Sequence, residues 1–456
     1  MIINIVVILF FILIIFIGIK KRDNKENFND YIYAGRKLTT PALIATLVTT
    51  WYGGINEIGI EVINNGIVTW VYFGFTYYIS AFIYAFFLAP RILKKDYRSV
   101  PIAIFNNYGK EAGLLSLTTV FFYLLPASYL IILSQLISEV FKINNVYISL
   151  SLATLVSTIY IFKGGFKAIV RTDKIQFFFM FTGFAILTIK LFTAKEYGLS
   201  MLNDLWIEKP SLFSIPGNKS WGFIGMFGVL SFATFLDPSF YQRTFSGKNL
   251  KTVQKSILWS IFFWFIFDFM TITSALFYYA ITYTNGIDII TNSPYINLAK
   301  IVFYDNIIFM SIFILSIFSV VMSTIDSFSF LSSLTINYDL QTILGKKTDI
   351  NSIKRTTFIV IFISLFISLF FNRALDYWYY FGTYMIVTNL IPLLSTLYDI
   401  KINYIKTLMC LSFLATLVWD ILILNGFSVT PSIYIGLITG LIIFIIDKKT
   451  INYTKK

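Results

Sequence analysis

Four carboxylates, Glu57, Asp268, Asp326 and Asp420, stand inside stretches that are otherwise apolar. A charge among apolar groups is costly, so each is either a functional group or a neutral, hydrogen-bonded one. Ser316, Ser319, Ser323 and Ser327 fall at i, i+3, i+7 and i+11, and Thr324 flanks them. At about 100° per residue they make one narrow stripe on a helix. Such a stripe either holds helices together or offers oxygens to a hard cation such as sodium. Gly53 and Gly54 stand in mid-stretch beside Thr49, Thr50, Trp51 and Tyr52. Each glycine weakens a helix by about 1 kcal/mol relative to alanine, so the pair either breaks the helix at a cavity or permits close packing.

Other chemistry is excluded by composition. Histidine is absent and Cys410 is the single cysteine. That removes the commonest general base, the usual metal ligand and every Ser-His or Cys-His pair, and leaves no disulfide to draw. Neither catalysis nor an organic cofactor is expected. The chain is 57% hydrophobic and 13% charged, with a mean hydropathy of +0.76. Charge is far below the roughly 25% of soluble domains, and apolar runs long enough to span a bilayer recur along its length. The net charge of +13 sits in short loops between apolar runs rather than on one polar face, so lipid, not nucleic acid, is the expected partner.

The elements that must position these residues are thirteen expected spans, at 2–19, 39–62, 68–90, 111–141, 146–162, 173–194, 220–241, 256–282, 307–334, 356–372, 376–398, 407–424 and 431–447. The first run has no basic residue ahead of it and is followed by Lys20, Lys21 and Arg22, which reads as a retained helix rather than a cleaved leader. Alternating sides with the N-terminus outside puts 29 of the 36 Lys and Arg inside and 7 outside, as the positive-inside rule requires. The longest polar stretch, 195–219, is too short to bury a core of its own.

Four segments in order resemble the sodium:solute symporter family. They are Asp30 to Arg36 leading into Thr49-Thr50-Trp51-Tyr52-Gly53-Gly54, then Gly164 to Gln176, then Asp237 to Arg243, and then Met322-Ser323-Thr324-Ile325-Asp326-Ser327. The resemblance implies an all-α membrane protein of about thirteen transmembrane helices, with a LeuT-like core of two inverted five-helix repeats. In this chain that divides into an additional N-terminal helix (1–20), a first repeat (39–194), a second, inverted repeat (220–398) and two further C-terminal helices (403–447). It also implies that sodium is bound by the main-chain oxygens of Thr49, Tyr52 and Val320 and the side-chain oxygens of Ser323 and Thr324. Solute is then expected between the two discontinuous helices, with Thr50, Trp51, Gly53, Gly54, Glu57, Phe227, Ser231 and Phe232 as candidate contacts. Arg36, Asp173, Asp237 and Asp326 are expected to anchor structure or gates.

The expected function is sodium-coupled symport of a small organic solute across the cell membrane by alternating access. One rival is a receptor or sensor subunit that kept the fold and lost transport. Another is proton coupling through Glu57. No obligate protein partner is evident, and no residue in the sequence names the solute. With Cys410 replaced, single-cysteine labelling should find position 2 outside and position 455 inside. Labelling of both from one side would remove the span count and the core assignment with it.

Overall fold

The structure is a computed structural model that describes residues 2–19, 28–161, 165–194 and 197–454. Lys20 to Arg22, Gly164 and position 455 lie outside the described residues. Among the described residues the chain is helical throughout, and the one extended pairing is a single bridge between Leu38 and Gly247. Lipid offers no hydrogen bonds, so a spanning backbone must satisfy its own N–H and C=O groups, as a helix does.

The principal helices are α1 (Ile2–Ile19), α2 (Thr40–Trp51), α3 (Ile55–Asn65), α4 (Val68–Lys95), α5 (Lys110–Leu124), α6 (Ala127–Phe141), α7 (Val146–Ile161), α8 (Gly165–Thr193), α9 (Trp221–Leu236) and α10 (Pro238–Ser246). They continue as α11 (Leu250–Thr284), α12 (Ile307–Leu334), α13 (Ile350–Ser368), α14 (Ala374–Leu397), α15 (Ile405–Leu424) and α16 (Ser432–Thr454). Shorter helices connect them.

Among the described residues, eight helical stretches are long and apolar enough to cross a membrane, and the bent pair α9 and α10 makes a ninth. Ile2–Gly18 and Val146–Thr158 are shorter apolar helices. By length and composition the expected thirteen spans are therefore not all reached. One reason is physical: the run at 39–62 is divided by a tight turn at Tyr52–Gly54 into halves of 12 and 11 residues. At 1.5 Å per residue neither half covers a hydrocarbon core of about 30 Å alone.

Two breaks organise the centre. At the first, α2 gives way to the turn Tyr52–Gly54 before α3 begins. At the second, α9 and α10 meet at a bend of 42°. There Pro238 occupies the first turn of α10 and Asp237 caps it, accepting a hydrogen bond from Ser239 N at 2.7 Å. Proline without an N–H and aspartate at the cap are what a helix start favours.

Helix α2 packs against α8, α11 and α12, and α8 lies along α12 in the broadest helix pair of the molecule. Gly183 permits that approach, because a Cβ there would overlap the Ser316 side chain. Phe82, Phe86, Phe262, Phe265, Phe362 and Phe366 are exposed on α4, α11 and α13, where a hydrocarbon solvent would meet them. Gly183→Val should force α8 from α12 and cost about 1 to 3 kcal/mol, the usual range for overpacking. It would register as a lower thermal unfolding midpoint in detergent, and an unchanged midpoint would show that this pair does not hold the fold.

Candidate functional site

A cavity of about 130 Å³ lies between the two breaks, enough for roughly ten water-sized volumes. Thr50, Trp51, Tyr52 and Gly54 line it from the first break; Phe227, Leu230, Ala233, Asp237, Ser239, Phe240 and Arg243 line it from the second. The rest of the wall is largely aromatic: Phe73 and Tyr77 from α4, Tyr123 from α5, Tyr129 from α6, Phe328 from α12, and Trp378 and Tyr379 from α14. Asp268 of α11 completes it. The rings lock one another. Trp51 stands 5.0 Å from Tyr77 and 5.1 Å from Trp264, while Tyr129 stands 5.0 Å from Phe328 and 5.7 Å from Trp378.

Several expected contacts fall outside this lining. Gly53 faces α12, where a Cβ would come within 2.5 Å of Thr324. Ser231 hydrogen-bonds Gly228 O and Ser80 Oγ, each at 2.7 Å. Phe232 stacks on Phe235 at 5.3 Å. Glu57 is buried in an ion pair, accepting from Arg373 Nη2 at 2.6 Å and Nε at 3.1 Å and from Ala374 N at 3.2 Å. The same guanidinium reaches Glu61 at 2.9 Å. The geometry thus binds Glu57 to the first turn of α14 instead of presenting it to the cavity.

Beside the first break, α2, α8 and α12 bring oxygens together. Thr324 Oγ1 lies 3.2 Å from Val320 O, 3.0 Å from Thr50 O and 3.5 Å from Thr49 O. Ser323 Oγ lies 2.9 Å from Thr49 Oγ1 and 2.7 Å from Asp173 Oδ1. Tyr52 O accepts from Ile55 N within the turn itself. Asp173 is fully buried, and its Oδ2 has no hydrogen-bond partner. The sequence had set Asp173 at a span end; the structure carries it to the hydroxyls of α12. The serine stripe divides here. Ser316 and Ser319 bond only to their own helix, at Phe313 O and Leu315 O, whereas Ser323 and Ser327 reach across to α2.

Arg243 is buried on the cavity floor and joins three helices. Its Nη2 donates to Thr46 Oγ1 and Thr50 Oγ1 of α2, both at 2.9 Å, and to Ser327 Oγ of α12 at 2.8 Å. Of the remaining expected anchors, Asp237 caps α10 and Asp326 is buried in α12. Arg36 is exposed, 3.4 Å from Asp96 and over the Phe245 ring.

Sequence reasoning missed the aromatic wall. Tyr77, Tyr123, Tyr129, Trp378 and Tyr379 carry no distinguishing signal in a chain that is 19% aromatic. Arg243 was hidden by the positive-inside pattern, which accounts for any basic residue near a span end. Asp268 was visible as an intramembrane carboxylate, but its partners were not.

Comparison with known proteins agrees with this architecture. The sodium:solute symporter family model matches residues 31–404. High-affinity choline transporter 1 of Drosophila melanogaster is 26% identical over 259 residues, which cover 54% of this chain and 41% of the relative. The human high affinity choline transporter 1 is 23% identical over 265 residues, covering 55% and 45%. The matched stretch thus spans less than half the length of either relative. Among solved structures, a sodium-coupled sialic acid symporter in a substrate-bound outward-open state superposes with a TM-score of 0.76 at 14% identity, covering 97% of this chain and 96% of that one. A nucleobase-cation-symport-1 family transporter in a closed conformation gives 0.52 at 11% identity, covering 94% and 96%. The fold is all-α and LeuT-like. With a family model matching most of its length, this chain belongs to the sodium:solute symporter family and is a multi-pass integral membrane protein.

Proposed function

We propose that the protein is a sodium-coupled symporter that carries a small organic cation with a quaternary ammonium head, of the choline class, into the cell. The carrying observation is the aromatic cavity between the two helix breaks. A quaternary ammonium has no N–H to donate, so it is recognised through ring faces, each contributing about 0.5 to 2 kcal/mol. Several polar groups of the wall are engaged within the protein, although the hydroxyls of Tyr77, Tyr123 and Tyr129 also line it. Thr50 is hydrogen-bonded to Arg243, Tyr52 to Asp268, and Trp378 Nε1 to Ser128 Oγ at 2.9 Å. A sugar or another polyol needs a hydrogen-bond partner for each hydroxyl, whereas a cation needs only the rings and a negative charge. The choline transporters among the relatives support the same reading.

Sodium is the proposed driving ion, held by Thr49 O, Tyr52 O and Val320 O with the hydroxyls of Ser323 and Thr324. Hard cations prefer such oxygens, and the nearby Asp173 carboxylate adds negative charge. Solute binding and the ion meet at the first break, since Tyr52 lines the cavity while its main-chain oxygen is one of the proposed ion ligands, and Thr50 and Trp51 line it between Tyr52 and Thr49. The break regions open the two proposed five-helix repeats, 39–194 and 220–398, and alternating access would come from motion of one repeat against the other. The proposed setting is the cytoplasmic membrane, with the N-terminus outside. Engagement of Glu57 by Arg373 favours sodium over Glu57 as the coupling site.

Two experiments test this. Purified protein in liposomes should accumulate labelled choline under an inward sodium gradient and not under a potassium one. Uptake of a sugar or neutral amino acid in place of choline would overturn the solute reading, and uptake indifferent to sodium would overturn the coupling. Ser323→Ala and Thr324→Ala should each raise the sodium concentration for half-maximal uptake about tenfold or more, the scale of one lost ligand at 1.4 kcal/mol or above. Apparent solute affinity should fall at low sodium and recover at high sodium, because coupling is reciprocal. Ser316→Ala, which loses only a bond to its own helix, should leave the sodium dependence unchanged. Equal effects from all three would return the stripe to helix packing.

A further inference from the structure

Asp268 lies in the middle of α11 and is 5% exposed, and that small exposure is toward the cavity. Its Oδ1 accepts a hydrogen bond from the Tyr52 hydroxyl at 2.8 Å, and its Oδ2 accepts one from the Tyr78 hydroxyl of α4. The opposing helix is pared back to admit it. Gly74 sits in a widened π-helical turn of α4, Val71–Phe75, and a Cβ at Gly74 would overlap Asp268 Oδ2. These contacts fix the carboxylate in position without supplying a positive charge.

Of the other buried acids near the cavity, Glu57, Glu61 and Asp237 have positive charge or a helix N-terminus to face, and Asp173 stands beside the proposed cation site. Glu57 and Glu61 share Arg373. Asp237 faces the N-terminus of α10 and accepts its backbone N–H, where the helix dipole favours negative charge. Asp173 bonds Ser323 beside the proposed sodium site. Asp268 has no Lys or Arg within ion-pair distance among the described residues. A desolvated carboxylate gains most from a counter-charge that arrives with the ligand.

We propose that Asp268 is the counter-charge for the solute's cationic head, the residue by which this cavity selects a cation over a neutral molecule of the same shape. The proposal rests on the quaternary-ammonium reading above. Aromatic rings provide the shape and part of the attraction, but they also accept a neutral tert-butyl group. Asp268 supplies the discrimination, because Coulomb attraction across a site walled by rings is only weakly screened. Tyr52 and Tyr78 act as positioning residues that aim the carboxylate. Tyr52 does so from the same residue whose main-chain oxygen is proposed to hold sodium, which ties the charge on the solute to the ion site.

The test compares choline with its neutral analogue, in which carbon replaces the quaternary nitrogen, as competitors for labelled choline binding at saturating sodium. Wild-type protein should favour choline at least about tenfold. In Asp268→Asn that preference should fall by about tenfold, with the neutral analogue binding as well as before and the sodium dependence retained. A folded Asp268→Asn protein that keeps the wild-type preference overturns the assignment. Should that variant fail to fold, Tyr78→Phe is the reading. It removes one aiming hydroxyl and leaves the sodium ligands intact, so the preference should fall severalfold, and an unchanged preference overturns the assignment equally. If wild-type protein shows no preference for choline at all, the quaternary-ammonium reading fails first, and the assignment falls with it.

Discussion

Thr324 pressed against Gly53 is the contact on which the centre of this molecule depends. A side chain at Gly53 would come within 2.5 Å of Thr324 Cβ and Oγ1, so only glycine lets α12 dock on the turn between α2 and α3. A broken helix inside a membrane leaves carbonyls without intrahelical partners, and such backbone persists only where protein satisfies it. Thr324 Oγ1 lies within 3.5 Å of the Thr49, Thr50 and Val320 carbonyls. The hydroxyl that occupies the space left by glycine therefore also satisfies the break that glycine permits. Ring positions follow from it, because Trp51 and Tyr52 leave α2 at the point where this contact ends the regular helix.

On either side of the break, charge holds the halves to different neighbours. Before it, Arg243 gathers Thr46 and Thr50 of α2 with Ser327 of α12. After it, Glu57 and Glu61 of α3 bind Arg373 at the start of α14. Gly54 reinforces the second arrangement, since a Cβ there would overlap the Trp378 ring of α14. The two halves of one span thus make their charged contacts with different helices, although both pack on α11. In a chain read as working by alternating access, one half is held by a guanidinium and hydroxyls and the other by a guanidinium and two carboxylates. Polar contacts of this kind can be exchanged for water, whereas a continuous apolar seam would have to be pulled apart.

Much of the frame was legible in the sequence, for reasons particular to lipid. Backbone satisfaction forces helices, apolar run length marks them, and Gly53-Gly54 marks the first break through its poor fit to a helix interior. The hydroxyls Ser323 and Thr324 were legible because their types and spacing are constrained by a motif. What could not be read was the identity of neighbours far apart in the chain. Glu57 looked like a group facing solute because nothing in the sequence joins it to Arg373, 316 positions away. The same holds for the cavity wall, whose rings come from eight helices and the turn at Tyr52, in a chain so rich in aromatics that each ring looks like lipid-facing filler.

Tyr52 would concentrate the proposed coupling in one residue. Its main chain belongs to the break beside the hydroxyls of α12, and its phenol spans to α11, 2.8 Å from both Asp268 Oδ1 and Trp264 O. One O–H can donate to only one acceptor at a time, so the phenol's preference follows the charge on Asp268. In the proposed reading, a cation beside that carboxylate would weaken its hold on the phenol and favour Trp264 O, and the ring is carried by the backbone of Tyr52. Any such shift would be felt at Tyr52 O, an oxygen proposed to face sodium. Reciprocity then requires that sodium, by fixing that oxygen, holds the phenol and with it the carboxylate in the arrangement that suits the solute. Coupling of this kind needs no long path through the bundle, only one residue whose two hydrogen-bonding ends serve two ligands.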